Sequence, residues 1–417
     1  VVKIFSHLFY VPGINFKQLF GNISKTKEMY LSKKTVKKSG LLFLWMVLLF
    51  SKTLVAQTDS SHMRISLLTC APGDELYATF GHTAIRIIDS TQHTDYIYNY
   101  GTFDFDDPDF YIKFTRGKLD YFLSVQTVPQ FMYEYQVENR NVYEQELAVS
   151  GDTKRAIVKA LSDNMQGANR YYKYDFQYNN CTSRVRDILI QYAGLKVEHP
   201  IVPQGTTFRN LLHNYLDRGG KSWSKLGIDL VLGSPVDKKV NIEESMFLPD
   251  YLMKGADSAL SANQSTLLSK KTLLYTGTRT DEPNRNWSFI VFSVAAILIG
   301  SISFIKNKTA QTITRVFDFI LLLGTGLIGC LLLFMWFGTD HKSCAANYNL
   351  LWALPTHLIA AFAVWKNPPW LRKYFTVCAF LYALVLITWF WLPQQINPAL
   401  IPVTLLFLAR FVQLRKA

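Results

Sequence analysis

Alternating apolar and polar positions divide the chain into three regimes. The first is one apolar run of ten residues, 41–50 (LLFLWMVLLF), behind a basic stretch that starts at Met29. Spanning a bilayer takes about 20 apolar residues. A ten-residue run with a basic flank and a small residue at Ala56 therefore predicts a secretory signal peptide over 29–56. Leu54 suits the −3 position poorly, so an uncleaved anchor is the alternative; residues 1–28 read as an over-extended translation start. The second regime, 57–286, shows short periodic segments. Residues 64–69 and 82–88 read as strands around a Pro72-Gly73 turn, and 96–100 as the next strand. The period of two puts His82, Ala84 and Arg86 on one face, and Thr83, Ile85 and Ile87 on the other. Val185, Ile188, Leu189 and Tyr192 recur at helical spacing, with Gly194 as a stop and Asn180 as N-cap. The Ser-, Thr-, Asn- and Lys-rich stretch near 255–286 reads as a tether. The third regime carries apolar runs at 287–305, 319–337, 349–365, 374–392 and 397–414, which predict a transmembrane bundle of about five helices.

Charge sharpens this division. The 44 Lys+Arg and 31 Asp+Glu give a net charge of +13, which invites a nucleic-acid reading. Residues 1–56 and 287–417 each carry +8, however, leaving −3 for 57–286. The basic residues belong to the membrane segments, and no nucleic-acid partner is expected. Lys306, Lys308 and Arg315 lie between the first two runs, Lys366, Arg372 and Lys373 between the third and fourth, and Arg410, Arg415 and Lys416 at the end. The alternate loops hold only Lys342. The positive-inside rule makes the basic loops cytoplasmic, so 57–286 lies outside, in agreement with the signal peptide.

Two places in this exported region carry chemistry. Gly81 permits close backbone approach just before His82. Cys181, in the first turn of a helix capped by Asn180, meets free amide donors and a dipole that favour a thiolate. Each admits a bland reading, a structural histidine and a buried cysteine. Together they form the pair that thiol catalysis requires: a nucleophile and a base to take and return its proton.

A histidine on an early strand before a cysteine at a helix start resembles the circularly permuted papain-like enzymes related to lecithin:retinol acyltransferase. More narrowly, TCAPGDELYATFGHTAIRI, YNYGTFDF, YNNCTSR, FLPDYL and GTDHKSCAANYNLLWALPTH are similar to the Lnb-type lipoprotein N-acyltransferase family over most of 63–360. The resemblance implies an α+β fold, with a permuted papain-like exported domain and an all-α transmembrane bundle, in a bacterial inner membrane. It implies acyl transfer from a membrane phospholipid to the α-amine of a diacylated lipoprotein, with Cys181 as nucleophile and His82 as base.

Asn99 and Arg86 are candidates to orient His82, and Asn180 and the backbone around it for oxyanion support. Arg86 could equally meet a lipid phosphate or a structural carboxylate. Asp340 and His341, on the outer side, and His357, within the third run, are candidates for lipid or substrate contact; a histidine satisfied inside the bundle is the alternative for His357. A Cys70–Cys181 disulfide would remove the nucleophile. Two other function classes fit parts of the pattern: a papain-like cell-wall amidase or peptidase, and a non-catalytic protein that binds lipoprotein or lipid. His62, His93, His199 and His213 lack ligand spacing, and no nucleotide-binding glycine pattern occurs, so no metal or other cofactor is expected.

Overall fold

The computed structural model describes residues 61–259, 266–283 and 285–416. The expected signal peptide at 29–56 and the extension 1–28 lie outside the described residues. The exported part is built on an antiparallel sheet of β1 (Met63–Cys70), β2 (His82–Asp89), β3 (Thr94–Phe103), β4 (Asp120–Thr127), β5 (Val142–Glu146), β6 (Tyr171–Lys173) and β7 (Thr272–Tyr275). Their spatial order is β6-β4-β3-β2-β1-β5-β7. The three strands read from the sequence occupy its centre. The stretch read as a tether supplies the edge strand β7, which pairs with β5.

Each face of the sheet is covered. Ile65, Leu67, Ile85, Ile87 and Leu123 point to the side packed by α3 (Gly151–Asp163) and α4 (Cys181–Ile188), through Ile157, Leu161, Val185 and Ile188. Leu68, Cys70, Ala84 and Ile97 point the other way, beneath Phe131, Met132 and Tyr135 of α2 (Val128–Val137). The short α1 (Phe110–Thr115) buries none of its residues. Downstream, α5 (Phe208–Arg218), α6 (Ser222–Val231), α7 (Ile242–Ser245) and α8 (Pro249–Ser258) gather Phe208, Leu212, Tyr215 and Phe247 into a further core.

The C-terminal part is helical: α9 (Trp287–Ile302), α10 (Lys308–Phe337), α11 (His357–Lys366), α12 (Pro369–Thr388) and α13 (Ile401–Leu414). Two of these, α10 and α12, are long and apolar enough to cross a membrane; the others are shorter apolar helices. Phe380, Ile387, Ile297 and Val377 are all exposed, an apolar exterior that suits lipid rather than water. The third apolar run becomes α-helical only at His357, after a 3-10 turn over Tyr348–Leu351. Pro355 explains the late start: it has no N–H to donate and disfavours helical backbone at the residue before it.

One buried carboxylate joins the two parts. Asp229 on α6 accepts hydrogen bonds from Arg209 Nη1 (2.7 Å), His213 Nε2 (2.8 Å) and Asn397 Nδ2 (2.8 Å). Its backbone oxygen accepts from Asn349 Nδ2 (2.9 Å). Arg209 and Asp229 have fully buried side chains, and Arg209 also grips Asp237. Burial raises the Asp229 pKa, but His213 and then Arg209 outweigh it and hold the carboxyl below its ordinary value. Removing one partner of such a network costs about 3–5 kcal/mol, because the remaining charge stays buried. Asp229→Ala is therefore expected to lower the thermal unfolding midpoint of the detergent-solubilised protein steeply. Lys159→Ala, which breaks an exposed pair with Asp163, should leave that midpoint unchanged.

Candidate active site

The site lies where the start of α4 meets the start of β2. Asn180 caps α4: its Oδ1 accepts from Ser183 N (2.8 Å), and Ser183 Oγ accepts from Asn180 N (2.8 Å). The Asn180 amide nitrogen donates to the carbonyls of Phe176 (2.8 Å) and Phe247 (3.0 Å). Its side chain is thus wholly engaged in holding the turn. Both N–H groups of that amide are taken by carbonyls, and the backbone at the start of α4 is what remains beside the sulfur.

Two glycines at positive φ shape the sheet beside this turn. β3 is bulged between Tyr100 and Thr102, and Gly101 there has φ +94°. A Cβ at Gly101 would lie 3.7 Å from Cys181 Cβ and 4.0 Å from Tyr174 Cε2. Gly81, at φ +73°, passes so near Cys70 that a Cβ would stand 2.5 Å from its carbonyl oxygen. This delivers His82 to the first position of β2. The contact between helix and strand is pinned by Thr83 Oγ1 and Thr182 Oγ1, 2.9 Å apart and buried.

The structure brings Cys181 and His82 together. Burial pushes the Cys181 thiol up, but the imidazole of His82 opposes it by charge and hydrogen bond. The Thr83 amide and the Thr182 hydroxyl, with Oγ1 3.8 Å from Sγ, add to that effect. The net result is a thiol pKa below its ordinary value. Burial likewise pushes His82 down, while the charge and hydrogen bond of Cys181, then Asn99, hold it above the ordinary imidazole value. Both side chains remain partly accessible. His82 Nε2 donates to Asn99 Oδ1 (3.2 Å), leaving Nδ1 as the nitrogen available to the sulfur. Asn99 Nδ2 donates in turn to Gln126 Oε1 (2.9 Å), which sets the orientation of the amide.

Arg86 stands apart from this pair. It forms a bidentate bond with Asp95 (2.8 and 2.6 Å) and reaches Glu144 at 3.3 Å, so its charge is met by carboxylates. Cys70, paired across the sheet with His82, is a free, buried thiol, and burial pushes its pKa up to about 12. Cys181 is also free, so no Cys70–Cys181 disulfide forms. His357 is fully buried in the helical part, its Nδ1 3.0 Å from Thr325 Oγ1 and its ring among Tyr374, Tyr382, Phe407 and Phe411. It belongs to the core of the bundle rather than to the site.

Openings lie on two sides. A cleft of about 260 Å³ exposes His82, Asn99 and Gln126 between Tyr77, Phe131 and Glu134. A crevice of about 200 Å³ runs from Phe114 and Gly117, past Asp340 and His341, to Tyr121 and Tyr174. Asp340 N donates to Arg116 O (2.9 Å), and His341 Nε2 donates to Phe114 O (3.1 Å). These bonds join α1 to the end of α10. Thr83, Thr182 and Gln126 were not singled out in the sequence. The two threonines follow His82 and Cys181 directly, whereas Gln126 is signalled only by strand register.

The model of the Lnb N-terminal periplasmic domain matches residues 50–214, and that of the Lnb transmembrane domain matches 284–416. No curated protein and no solved structure gives a significant match.

A thiol pKa below the ordinary value means that Cys181 stays reactive at lower pH than a free cysteine. Alkylation by iodoacetamide, followed by peptide mass spectrometry, should modify Cys181 and leave Cys70 and Cys344 intact, with a midpoint below that of a free cysteine. His82→Gln removes the largest influences that lower this pKa and leaves burial with only the Thr83 amide and the Thr182 hydroxyl against it, so the midpoint should move upward. An unchanged profile would separate the two residues.

Proposed function

The chain belongs to the Lnb family, and we propose that it is a lipoprotein N-acyltransferase working by ping-pong acyl transfer. It is a membrane protein with a periplasmic domain of Lnb type. The observation that carries the proposal is the pairing of an activated thiol with an oriented imidazole, in a domain bonded to the end of a membrane helix.

In the first half-reaction the Cys181 thiolate attacks an ester carbonyl of a phospholipid. The tetrahedral oxyanion meets the free amide donors and dipole at the start of α4. As the ester C–O bond breaks, protonated His82 gives its proton to the departing lysophospholipid alcohol, and a thioester remains on Cys181. In the second half-reaction the α-amine of a diacylglyceryl-cysteine attacks the thioester carbonyl and loses a proton to His82. The C–S bond breaks, the amide is released and the thiolate–imidazolium pair is restored. Asn99 and Gln126 keep the ring oriented with Nδ1 toward the sulfur throughout.

The surroundings suit substrates that reside in a bilayer. Tyr111, Ile112 and Phe114 of α1 are exposed, as is Phe337 at the end of α10, and bonds joining Phe114 and Arg116 to His341 and Asp340 tie the two ends together, an arrangement fit for the lipid–water interface. The crevice past Asp340 and His341 leads from there to Tyr174, which flanks Gly101 beside Cys181. We assign the acyl chain of the donor to this crevice, and the amine of the acceptor to the cleft on the His82 side. A multi-pass arrangement in the inner membrane, with basic loops in the cytoplasm, completes the reading.

A cell-wall amidase would use the same pair of residues but gives no role to the membrane helices. A binding protein without activity gives no role to the lowered thiol pKa. Incubation with phospholipid followed by intact-protein mass spectrometry should reveal one acyl chain on Cys181, absent in Cys181→Ala and discharged by a diacylated lipopeptide. His82→Ala should slow adduct formation by about 10²–10⁴-fold with the unfolding midpoint retained. Cleavage of muropeptides without an adduct would replace the proposal with the amidase.

A further inference from the structure

A further cavity lies at the other end of the helices. It measures about 470 Å³, within the range of about 300–1,000 Å³ typical of ligand sites. Residues from all five helical segments line it, from Ser303 after α9 to Leu414 at the end of α13. α10 has 30 residues, about 45 Å of helix at 1.5 Å per residue. Its last turn leads to the loop bonded to the periplasmic domain, and its first turns border this cavity. The cavity therefore faces the opposite leaflet from the thiol.

Its lining is amphiphilic. Val364, Leu371 and Phe375 form an apolar wall. On the polar side Arg410 is held by Asp318, with Nε–Oδ1 at 2.8 Å and Nη2–Oδ2 at 2.6 Å, both side chains buried. Gln413 bonds Arg410 and, through Nε2, Ser303 Oγ at 3.1 Å. Asp318 is thereby spent on Arg410. Lys306 and Arg315 also border the cavity, are exposed, and make no ion pair among the described residues. The only other charges on this lining are those of the Asp318–Arg410 pair, so the site carries two uncompensated positive charges. The positive-inside rule accounts for the sign of these loops, but not for two unpaired cations beside an apolar wall.

We propose that this cavity binds an anionic phospholipid of the cytoplasmic leaflet, its phosphate at Lys306 and Arg315 and its acyl chains along the Val364–Leu371–Phe375 wall. The bound lipid links α9, α10 and the ends of α11 and α13, and is distinct from the acyl donor at Cys181. The assignment rests on the membrane orientation, not on the acyl-transfer chemistry, and can be tested in a chain unable to react.

The test is native mass spectrometry of full-length Cys181→Ala protein released from detergent containing phosphatidylglycerol or phosphatidylcholine. Phosphatidylglycerol should be retained about 30-fold better, equivalent to about 1 kcal/mol for each of two cations. The Lys306→Gln/Arg315→Gln variant should lose this preference while keeping the same unfolding midpoint. Both substitutions are at exposed positions, so the fold should tolerate them. Equal retention of the two lipids, or a preference unchanged in the variant, overturns the proposal. Displacement of the lipid by millimolar inorganic phosphate would reassign the site to a free anion and overturn it as well. An acyl adduct on Cys181 in the wild type has no bearing on any of these outcomes.

Discussion

The Asp229 carboxylate is the point on which the arrangement of the molecule depends. A single buried anion is costly to desolvate, and here it is met by Arg209 and His213 from α5 and by Asn397 from the helical part. Arg209 and His213 meet one oxygen from within the same part, whereas the second oxygen takes its bond from Asn397, far along the chain, and so is satisfied when the periplasmic and membrane parts are docked in one register. Asn349, on the loop before α11, adds a bond to the Asp229 backbone. Apolar packing alone tolerates sliding, whereas a carboxylate with fixed partners does not. The thiol is thereby held at a defined position relative to the membrane helices.

The site itself is made by backbone geometry as much as by side chains. His82 and Cys181 approach from opposite faces of the sheet, which would ordinarily keep them apart. The positive φ at Gly81 turns the chain into β2, and the bulge at Gly101 opens the sheet beside the helix start. Cys181 stands against the strand at Gly101, where the positive φ calls for glycine, and Thr83 and Thr182 pin the contact. Burial by itself would keep a thiol protonated, as at Cys70. The opposite outcome at Cys181 comes from an imidazole, a backbone amide and a hydroxyl brought to one sulfur.

Much of the periplasmic fold was legible as pattern. Alternation over 82–88 assigned His82 and Ile85 to opposite faces, and the structure pairs Cys70 with His82 and packs Ile85 into the larger core. The capped helix at Asn180 followed from local hydrogen-bond chemistry, and the antiparallel-sheet-plus-helices arrangement followed from the elements. Other parts were not legible. The stretch near 255–286 has the composition of a tether yet contributes an edge strand, because β5 offers it an unpaired backbone. Arg86 shares a face with His82, but Asp95 and Glu144 lie within reach of its guanidinium and claim it.

The sequence by itself determined which segments are apolar enough to read as membrane helices, that the basic charge gathers at both ends of the chain, and which two side chains could form a thiol–imidazole pair. Those properties are local: they depend on runs of apolar residues, on charge count and on side-chain type. Only the tertiary structure decided that His82 meets Cys181, that Asn99 and Gln126 orient the imidazole, and that His357 is core. These depend on strand register and on segments far apart in the chain competing for the same buried hydrogen bonds. A carboxylate or imidazole takes the partner that folding leaves closest, and spacing along one chain does not specify that partner.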